Sequence, residues 1–347
     1  MIHIEKRSAR FGAALLIFAL LLRLVMTGVP ALVRASSSEE TTAFSPHRPN
    51  GGVSLSVTTP ETTVPVATTS PSLPTTILPT APTIPAPSPR PPAITFSQTD
   101  MTYVNLQYGS DCGYRADAQA LLLGSIDWQL DSGEPAVLIV HSHATESYTR
   151  QNGDTYQESS AYRTSDTAYN MVAVGDFLVA QLQALGIGVI HDRQLHDEPS
   201  YNAAYSSSRK SVAAYLEEYP SIRIVLDLHR DAALNADGSQ YATSATVNGE
   251  KAAQIMLLAG TDWLGGSHPQ WEENLSLALK LQVLLEQAHP GITRRTLLRG
   301  SVFNQDLCSG MLIVEVGTAG NTLTHALRAM TPLANAIAAL ANGANIT

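Results

Sequence analysis

The chain is poor in cysteine and in clustered basic residues. Among its 347 residues only two are cysteines, and its formal net charge is −9. Beyond the first ten residues Lys and Arg form no run, so we expect no nucleic-acid partner, because phosphate backbones are bound by clustered cations. Cys112 and Cys308 lack the spacing of a zinc motif. The sequence leaves them open as one disulfide or as two buried thiols.

Two motifs that mark common enzyme classes are also absent. The sequence contains no G-x-S-x-G turn and no phosphate-binding glycine loop. A serine nucleophile and a nucleotide site both depend on such local geometry. The sequence therefore gives no support to a serine hydrolase or a nucleotide-binding enzyme.

Residues 1–34 are apolar and basic. Three basic residues precede the apolar run 11–33, and Arg23 interrupts that run. Positive charge ahead of an apolar stretch keeps the start of a chain in the cytoplasm and sends the downstream residues across the membrane. The run is long enough to span a bilayer, so we predict a single-pass membrane anchor with the folded part outside the cytoplasm. A cleaved signal segment is the alternative, because Arg23 breaks the run.

Residues 35–99 are dominated by Thr, Pro, Ser and Ala. Such a segment buries too little surface to offset the entropy of ordering, so we predict a disordered linker. Its prolines favour extended geometry, which would hold the folded part away from the bilayer, although a tail without a spacing role is the alternative. Residues 100–347 remain for one folded domain, which is enough for a full α/β core.

From Ala136 onward the sequence alternates between short apolar runs and longer amphipathic segments. The runs are typical of buried strands, and the segments have the apolar spacing of helices. The predicted strands are 136–140, 187–192, 222–228, 252–260 and 311–316, and the predicted helices are 165–186, 205–219, 271–288 and 324–342. This alternation predicts a single α/β domain with a mainly parallel sheet and helices on both faces.

Three of the apolar runs end in side chains that bind metals or move protons. These are His141, His143 and Glu146 after the first run, Asp227 and His229 at the end of the third, and Glu315 in the last. Open α/β sheets place their ligand crevices at strand ends. The pattern therefore predicts a metal-dependent hydrolase.

The spacing of these residues suggests individual roles. An imidazole and a carboxylate three residues apart can reach one Zn²⁺, so we predict His143, Glu146 and His229 as metal ligands. Strand alternation points His141 and His143 to the same side, so His141 is the alternate to His143. Glu315 stands between two valines, where an idle carboxylate is costly to bury. We predict that it is the general base toward water and the proton donor to a leaving amine. Hydrogen-bonding histidines and a structural carboxylate are the alternative.

Four segments together resemble the stage II sporulation protein P family: VLIVHSHATESY, VIHDRQLHDEPSYNAAYSSS, IRIVLDLHRDA and VFNQDLCSGMLIVEVGTAGNT. Members of that family are zinc-dependent N-acetylmuramoyl-L-alanine amidases of spore-forming bacteria. The resemblance implies hydrolysis of the amide between N-acetylmuramic acid and the first L-alanine of the peptidoglycan stem peptide. It implies a Zn²⁺ cofactor on His143 (or His141), Glu146 and His229, with Glu315 as the catalytic residue.

The resemblance also implies a place and partners. It implies septal wall remodelling during engulfment, at the cell membrane, with peptidoglycan as substrate. A lytic transglycosylase of the stage II sporulation D type and a membrane scaffold are the implied protein partners. Arg23 departs from an unbroken anchor and leaves permanent attachment open. The alternatives are a zinc peptidase that cuts within the stem peptide and a non-catalytic, membrane-tethered wall-binding module.

Overall fold

The computed structural model describes residues 94–342, apart from positions 127, 129, 131 and 132. The predicted membrane segment 1–34 and all of the predicted linker except its last six residues lie outside this range. The described chain contains no helix that is both long enough and apolar enough to cross a membrane. A short 3-10 helix, Gln98–Tyr103, stands at the predicted border between linker and domain.

In the described part of the chain, nine strands form one large sheet and one small hairpin. In chain order they are β1 (Leu106–Tyr108), β2 (Pro135–Val140), β3 (Gly188–His191), β4 (Ile224–Asp231), β5 (Ala245–Val247), β6 (Glu250–Ala252), β7 (Ile255–Gly260), β8 (Thr296–Arg299) and β9 (Met311–Thr318). The large sheet has the order β1-β8-β7-β9-β4-β2-β3, and β5 pairs with β6. Strands adjacent in the sheet are thus mostly distant in sequence, as crossover connections require.

Five α-helices within the described residues connect and cover these strands. They are α1 (Ala118–Leu123), α2 (Met171–Ala184), α3 (Ala204–Glu218), α4 (Trp271–Ala288) and α5 (Leu323–Asn342). The predicted helix 165–186 starts later than expected, because the side chain of Asn170 accepts a hydrogen bond from the backbone N–H of Val172 and caps α2. The other predicted helices agree with the structure to within a residue or two.

The sheet is mostly parallel, with one change of direction. Strands β3, β2, β4 and β9 are parallel neighbours, and β7, β8 and β1 are parallel neighbours. Between the two groups β7 runs antiparallel to β9, with Met256 opposite Glu315. The prediction of an α/β domain with a mainly parallel sheet is confirmed. The antiparallel step, which the sequence did not predict, brings the start of β7 to the edge where β4 and β9 end.

Helices lie on both faces of the sheet, but they cover them unequally. The main apolar cluster joins one face to α2, α4 and α5. On the other face α3 contributes Val212, which packs with Leu138, Val225 and Met311 from the centre of the sheet. That smaller cluster includes no residue of β7, β8 or β1.

The two cysteines are separate free thiols. Cys112 is buried, with its Sγ 3.8 Å from Thr261 Oγ1. The half-buried Cys308 lies 3.5 Å from the carbonyl oxygen of Arg223. Of the two possibilities that the sequence left open, the structure therefore has the unbridged one.

Candidate active site

The turn that follows β2 carries two of the predicted ligands. The N–H of Glu146 donates to the carbonyl oxygen of His143 over 3.1 Å, which closes this turn. His143 and Glu146 are both buried, and so is Thr145 between them. A tight turn beyond a buried strand thus holds an imidazole and a carboxylate near the neighbouring strand β4.

Strand β4 supplies the third predicted ligand. His229 Nδ1 lies 3.5 Å from Glu146 Oε2, and its ring centroid is 5.4 Å from that of His143. The other ring nitrogen, Nε2, is 3.0 Å from Asp227 Oδ1 but is not aligned for a hydrogen bond. Strand alternation puts Asp227 and His229 on one face. The structure therefore brings His143, Glu146 and His229 together.

Glu315 joins this group through the backbone ladder. It is the register partner of His229 on the neighbouring parallel strand β9. Its Oε2 is buried and has no hydrogen-bond partner among the described residues. Burial, opposed by the positive charge of His229, raises the pKa of Glu315 to about 8. This carboxyl therefore holds a proton more tightly than an exposed glutamate does.

The surroundings shift the pKa values of the neighbouring groups in opposite directions. Burial and the charge of His229 lower the pKa of His143. Burial alone would lower the pKa of His229, but the carboxylates of Asp227 and Glu146 raise it well above the usual value. Burial works against the charge of Glu146 as well, yet hydrogen bonding to His229 and the charges of Arg230 and Arg163 bring its pKa down to about 2. The cluster is therefore a set of strongly coupled charges.

The alternate ligand His141 is not part of this group. It follows β2 directly and lies on the opposite face of the sheet. There its Nε2 is 2.8 Å from His191 Nε2, and its Nδ1 is 3.2 Å from the carbonyl oxygen of Leu228. Burial lowers the pKa of His141 to about 3. Strand alternation placed His141 and His143 on one side in the sequence-based prediction. The turn after β2 breaks that alternation before His143.

Asp197 is a site residue that the sequence did not reveal. It accepts hydrogen bonds from the backbone N–H and the hydroxyl of Thr145, and its Oδ2 pairs with Arg163 over 2.9 Å. The same oxygen lies 4.0 Å from His143 Nδ1. Arg163 also reaches Glu146 Oε1 over 3.1 Å. In the sequence, Asp197 stands out only as an acidic residue beside His196 in a loop. Acidic residues are common in turns, so this signal did not mark a site.

Two tyrosines of the segment 201–205 border the imidazole of His143. The ring of Tyr201 stacks on it at a centroid distance of 4.3 Å, and Tyr205 meets it edge-on at 5.6 Å. Arg163 lies over the ring of Tyr201. The side chains of this segment therefore fix one wall of the site.

The donor atoms fit a metal in kind. Two of the three predicted ligands have a buried ring nitrogen without a hydrogen-bond partner in the described chain: Nδ1 of His143 and Nε2 of His229, the second of which lies on the side of Asp227. Two imidazoles with carboxylates are a usual donor set for zinc. Across residues 94–342, with the four positions noted above excepted, no three His, Cys, Asp or Glu side chains form a closed metal-binding geometry. Glu146 is instead occupied by Arg163 and Arg230.

Two cavities flank the cluster. One, of about 590 Å³, is lined by Tyr205, Phe303 and Asn304 among others. The other, of about 530 Å³, has Glu315 in its wall. The cluster is therefore bordered by open space on two sides.

Comparison with known sequences identifies relatives. The stage II sporulation protein P (SpoIIP) family model matches residues 91–338. Stage II sporulation protein P of Bacillus subtilis (strain 168) is 28% identical over 213 residues, which make up 58% of this chain and 50% of that protein. The chain thus spans about half the length of this curated relative.

Comparison with solved structures gives weaker similarities. The CwlD amidase of Clostridioides difficile, solved in complex with the GerS lipoprotein, has a TM-score of 0.37 and 11% identity over 59% of this chain and 98% of its own. The N-acetylmuramyl-L-alanine amidase Ami1 of Mycobacterium smegmatis has a TM-score of 0.37 and 10% identity over 62% of this chain and 100% of its own. Values this low carry no argument about this protein.

Proposed function

Because this chain belongs to the stage II sporulation protein P family, we propose that it is a peptidoglycan hydrolase of the sporulating cell. The proposed reaction cleaves the amide between N-acetylmuramic acid and the L-alanine that begins the stem peptide. One observation carries this proposal. Two imidazoles and two carboxylates converge at one edge of the sheet, between two cavities. They belong to His143, Glu146, His229 and Glu315.

In this proposal His143, Glu146 and His229 are the residues that would hold Zn²⁺. When bound, Zn²⁺ would polarise the scissile carbonyl and make water more acidic. The turn after β2 and the ladder between β4 and β9 hold these side chains on buried backbone. Ligation would then require the side chains to move on this backbone, above all that of Glu146, which pairs with Arg163 and Arg230.

Glu315 is the proposed proton-transfer residue. Its carboxylate takes a proton from the attacking water and returns it to the departing alanine amine, so that one proton moves and none is left over. A group that does both needs a pKa near the working pH. Glu315 is half-buried, and the burial of its carboxyl oxygen Oε2 raises its pKa to about 8, far nearer to neutrality than that of an exposed glutamate.

The supporting residues have positioning roles. Asp227 accepts hydrogen bonds from the backbone and hydroxyl of Ser142, and it approaches the imidazole of His229. Asp197 restrains Thr145, which lies between two of the proposed ligands. Carboxylates behind ligating histidines fix the orientation of their rings.

We further propose that residues 1–34 anchor the protein in the cell membrane and that residues 35–99 are a linker to an extracytoplasmic domain. The charge pattern of the N-terminus and the Pro-rich composition support this arrangement. A lytic transglycosylase of the stage II sporulation D type and a membrane scaffold are the proposed partners. Membership in the family supports both.

Incubating the purified full-length protein with peptidoglycan, with and without a chelator, tests the activity. We expect new free L-alanine amines by mass spectrometry, their loss with chelator and their return with zinc. Cleavage elsewhere in the stem peptide would replace the proposal with a zinc peptidase. Wall binding without any cleavage, in protein that contains zinc, would replace it with a binding module.

A further inference from the structure

The sheet face that carries the cluster is open on one side. Helix α3 packs on the β2, β4 and β9 part of this face through Val212. Beyond β9, the cavity of about 530 Å³ lies over β7 and β8 and is lined by Met256, Leu258 and Leu297. Glu315 is also part of its wall. The cavity thus forms a groove that leads from the proton-transfer residue across the open face.

One arginine lies two strands away from Glu315 in the wall of the same groove. Met256 pairs with Glu315, and the β7–β8 ladder pairs Leu258 with Leu297. The chain bulges by one residue between this pair and the bridge from Ile255 to Thr293, and Arg295 lies in the bulge, level with Met256 and in the same cavity wall. Neighbouring strands lie about 4.8 Å apart, so the backbone at Arg295 is roughly 10 Å from that at Glu315.

Three arginines line this groove, and two of them are neutralised. Arg294 pairs with Asp231 over 2.6 Å, and Arg299 pairs with Asp111 over 2.9 Å. Arg295 is exposed and has no ion-pair partner in the described part of the chain. A cation without a partner in a concave wall, in a chain with a net charge of −9, is available for an anionic ligand.

We propose that this groove, the Arg295 groove (Met256, Leu258, Arg295 and Leu297), binds the acidic peptide part of the substrate. This inference rests on the proposed function, in which the leaving amine faces Glu315 and the peptide therefore extends from that point. An extended peptide advances about 3.3 Å per residue. Arg295 then meets a carboxylate on the second or third residue after the scissile amide, and the apolar floor contacts the chain between them.

Equilibrium binding to the full-length protein tests the groove without requiring turnover. The probe is the tripeptide L-alanyl-γ-D-glutamyl-L-lysine, compared with the same peptide after conversion of both of its carboxylates to amides. We expect Arg295→Gln to weaken binding of the acidic peptide by about 10-fold, as the loss of a charge-assisted hydrogen bond predicts. Binding of the amidated peptide should stay unchanged. Lys210→Gln, which removes one exposed charge from α3, should affect neither peptide.

Turnover gives a second measurement on the same variants. With muropeptides that carry free carboxylates, Arg295→Gln should raise KM by about 10-fold and leave kcat near the wild-type value. Equal binding of both peptides by the wild-type protein, or an equal loss of both in Arg295→Gln, would overturn the groove proposal. If the wild-type protein binds the acidic peptide through Arg295 but releases no alanine amines, the proposed function fails while the groove stands.

Discussion

His229 on β4 and Glu315 on β9 are register partners on neighbouring parallel strands. The ladder of backbone hydrogen bonds between these strands fixes the spacing of the two side chains, whereas the carboxyl atom Oε2 of Glu315 has no partner of its own among the described residues. Changes to this carboxyl therefore alter the chemistry of the site more than the fold that supports it.

Replacement of Glu315 separates proton transfer from metal binding. Glu315→Gln keeps the size of the side chain but removes its ability to accept the proton of water. We expect turnover to fall by about 100- to 10,000-fold, the usual contribution of a general acid–base group. Zinc content should stay at the wild-type level, because Glu315 is not among the proposed ligands. Rates of peptidoglycan cleavage and metal analysis of the purified variant provide the check, and near-normal turnover would refute the role.

The two histidines that flank Ser142 are expected to differ in zinc binding. His143→Ala should lose zinc and with it activity, because its ring faces His229. His141→Gln should retain zinc, because His141 lies on the other face of the sheet and contacts His191. Metal analysis after dialysis distinguishes them. The opposite result, zinc lost from His141→Gln and kept in His143→Ala, would make His141 the ligand.

Most of the fold was accessible from the sequence because its helices and central strands have strong patterns. Segment 271–288, for example, was predicted with the bounds of α4. Strand β7 was predicted as a strand, but a fully buried run such as this has the same apolar pattern in either direction, so its antiparallel pairing with β9 was not visible. The three-residue β1 and four-residue β8 are too short for a periodic signal.

The site was predicted in part for similar reasons. His229 and Glu315 lie on strands, where alternation gives their face directly. His143 lies in a turn whose course depends on the distant Asp197. Its side was therefore misjudged from strand alternation, and Asp197 itself went unnoticed.

Lys280 of α4 is expected to stabilise the domain through the end of α1. Its side chain is buried, and its Nζ donates to the carbonyl oxygens of Leu121 and Leu122 over 2.6 Å and 2.8 Å. The hydroxyl of Ser276 also donates to the carbonyl oxygen of Leu121. In Lys280→Met this oxygen therefore keeps a donor, whereas the carbonyl oxygen of Leu122 loses the one from Lys280. We expect the free energy of unfolding to fall by about 1–3 kcal/mol.

Urea denaturation of the full-length protein measures this loss. Lys210→Met is the matched control, because Lys210 is exposed on α3. An exposed substitution of this kind should change the free energy of unfolding by no more than about 0.5 kcal/mol. Equal stabilities for the two variants would show that the contact between Lys280 and α1 contributes nothing measurable.

Asp197 is expected to set the zinc affinity of the site without taking part in the reaction. Its carboxylate holds Thr145 between two proposed ligands and pairs with Arg163, which in turn contacts Glu146. Asp197→Asn keeps the shape and removes the charge. We expect zinc affinity to fall by about 10- to 100-fold, as is typical when a carboxylate behind a ligating histidine is lost.

Titration of the Asp197→Asn protein against a zinc-binding dye measures this affinity, and activity at saturating zinc should recover most of the wild-type kcat. Asp176→Asn provides the control, because Asp176 is also paired with an arginine, Arg193, but on the exposed side of α2. It should leave zinc affinity unchanged. If Asp197→Asn binds zinc as tightly as the wild type but loses kcat at saturation, Asp197 acts on the reaction itself and its positioning role is wrong.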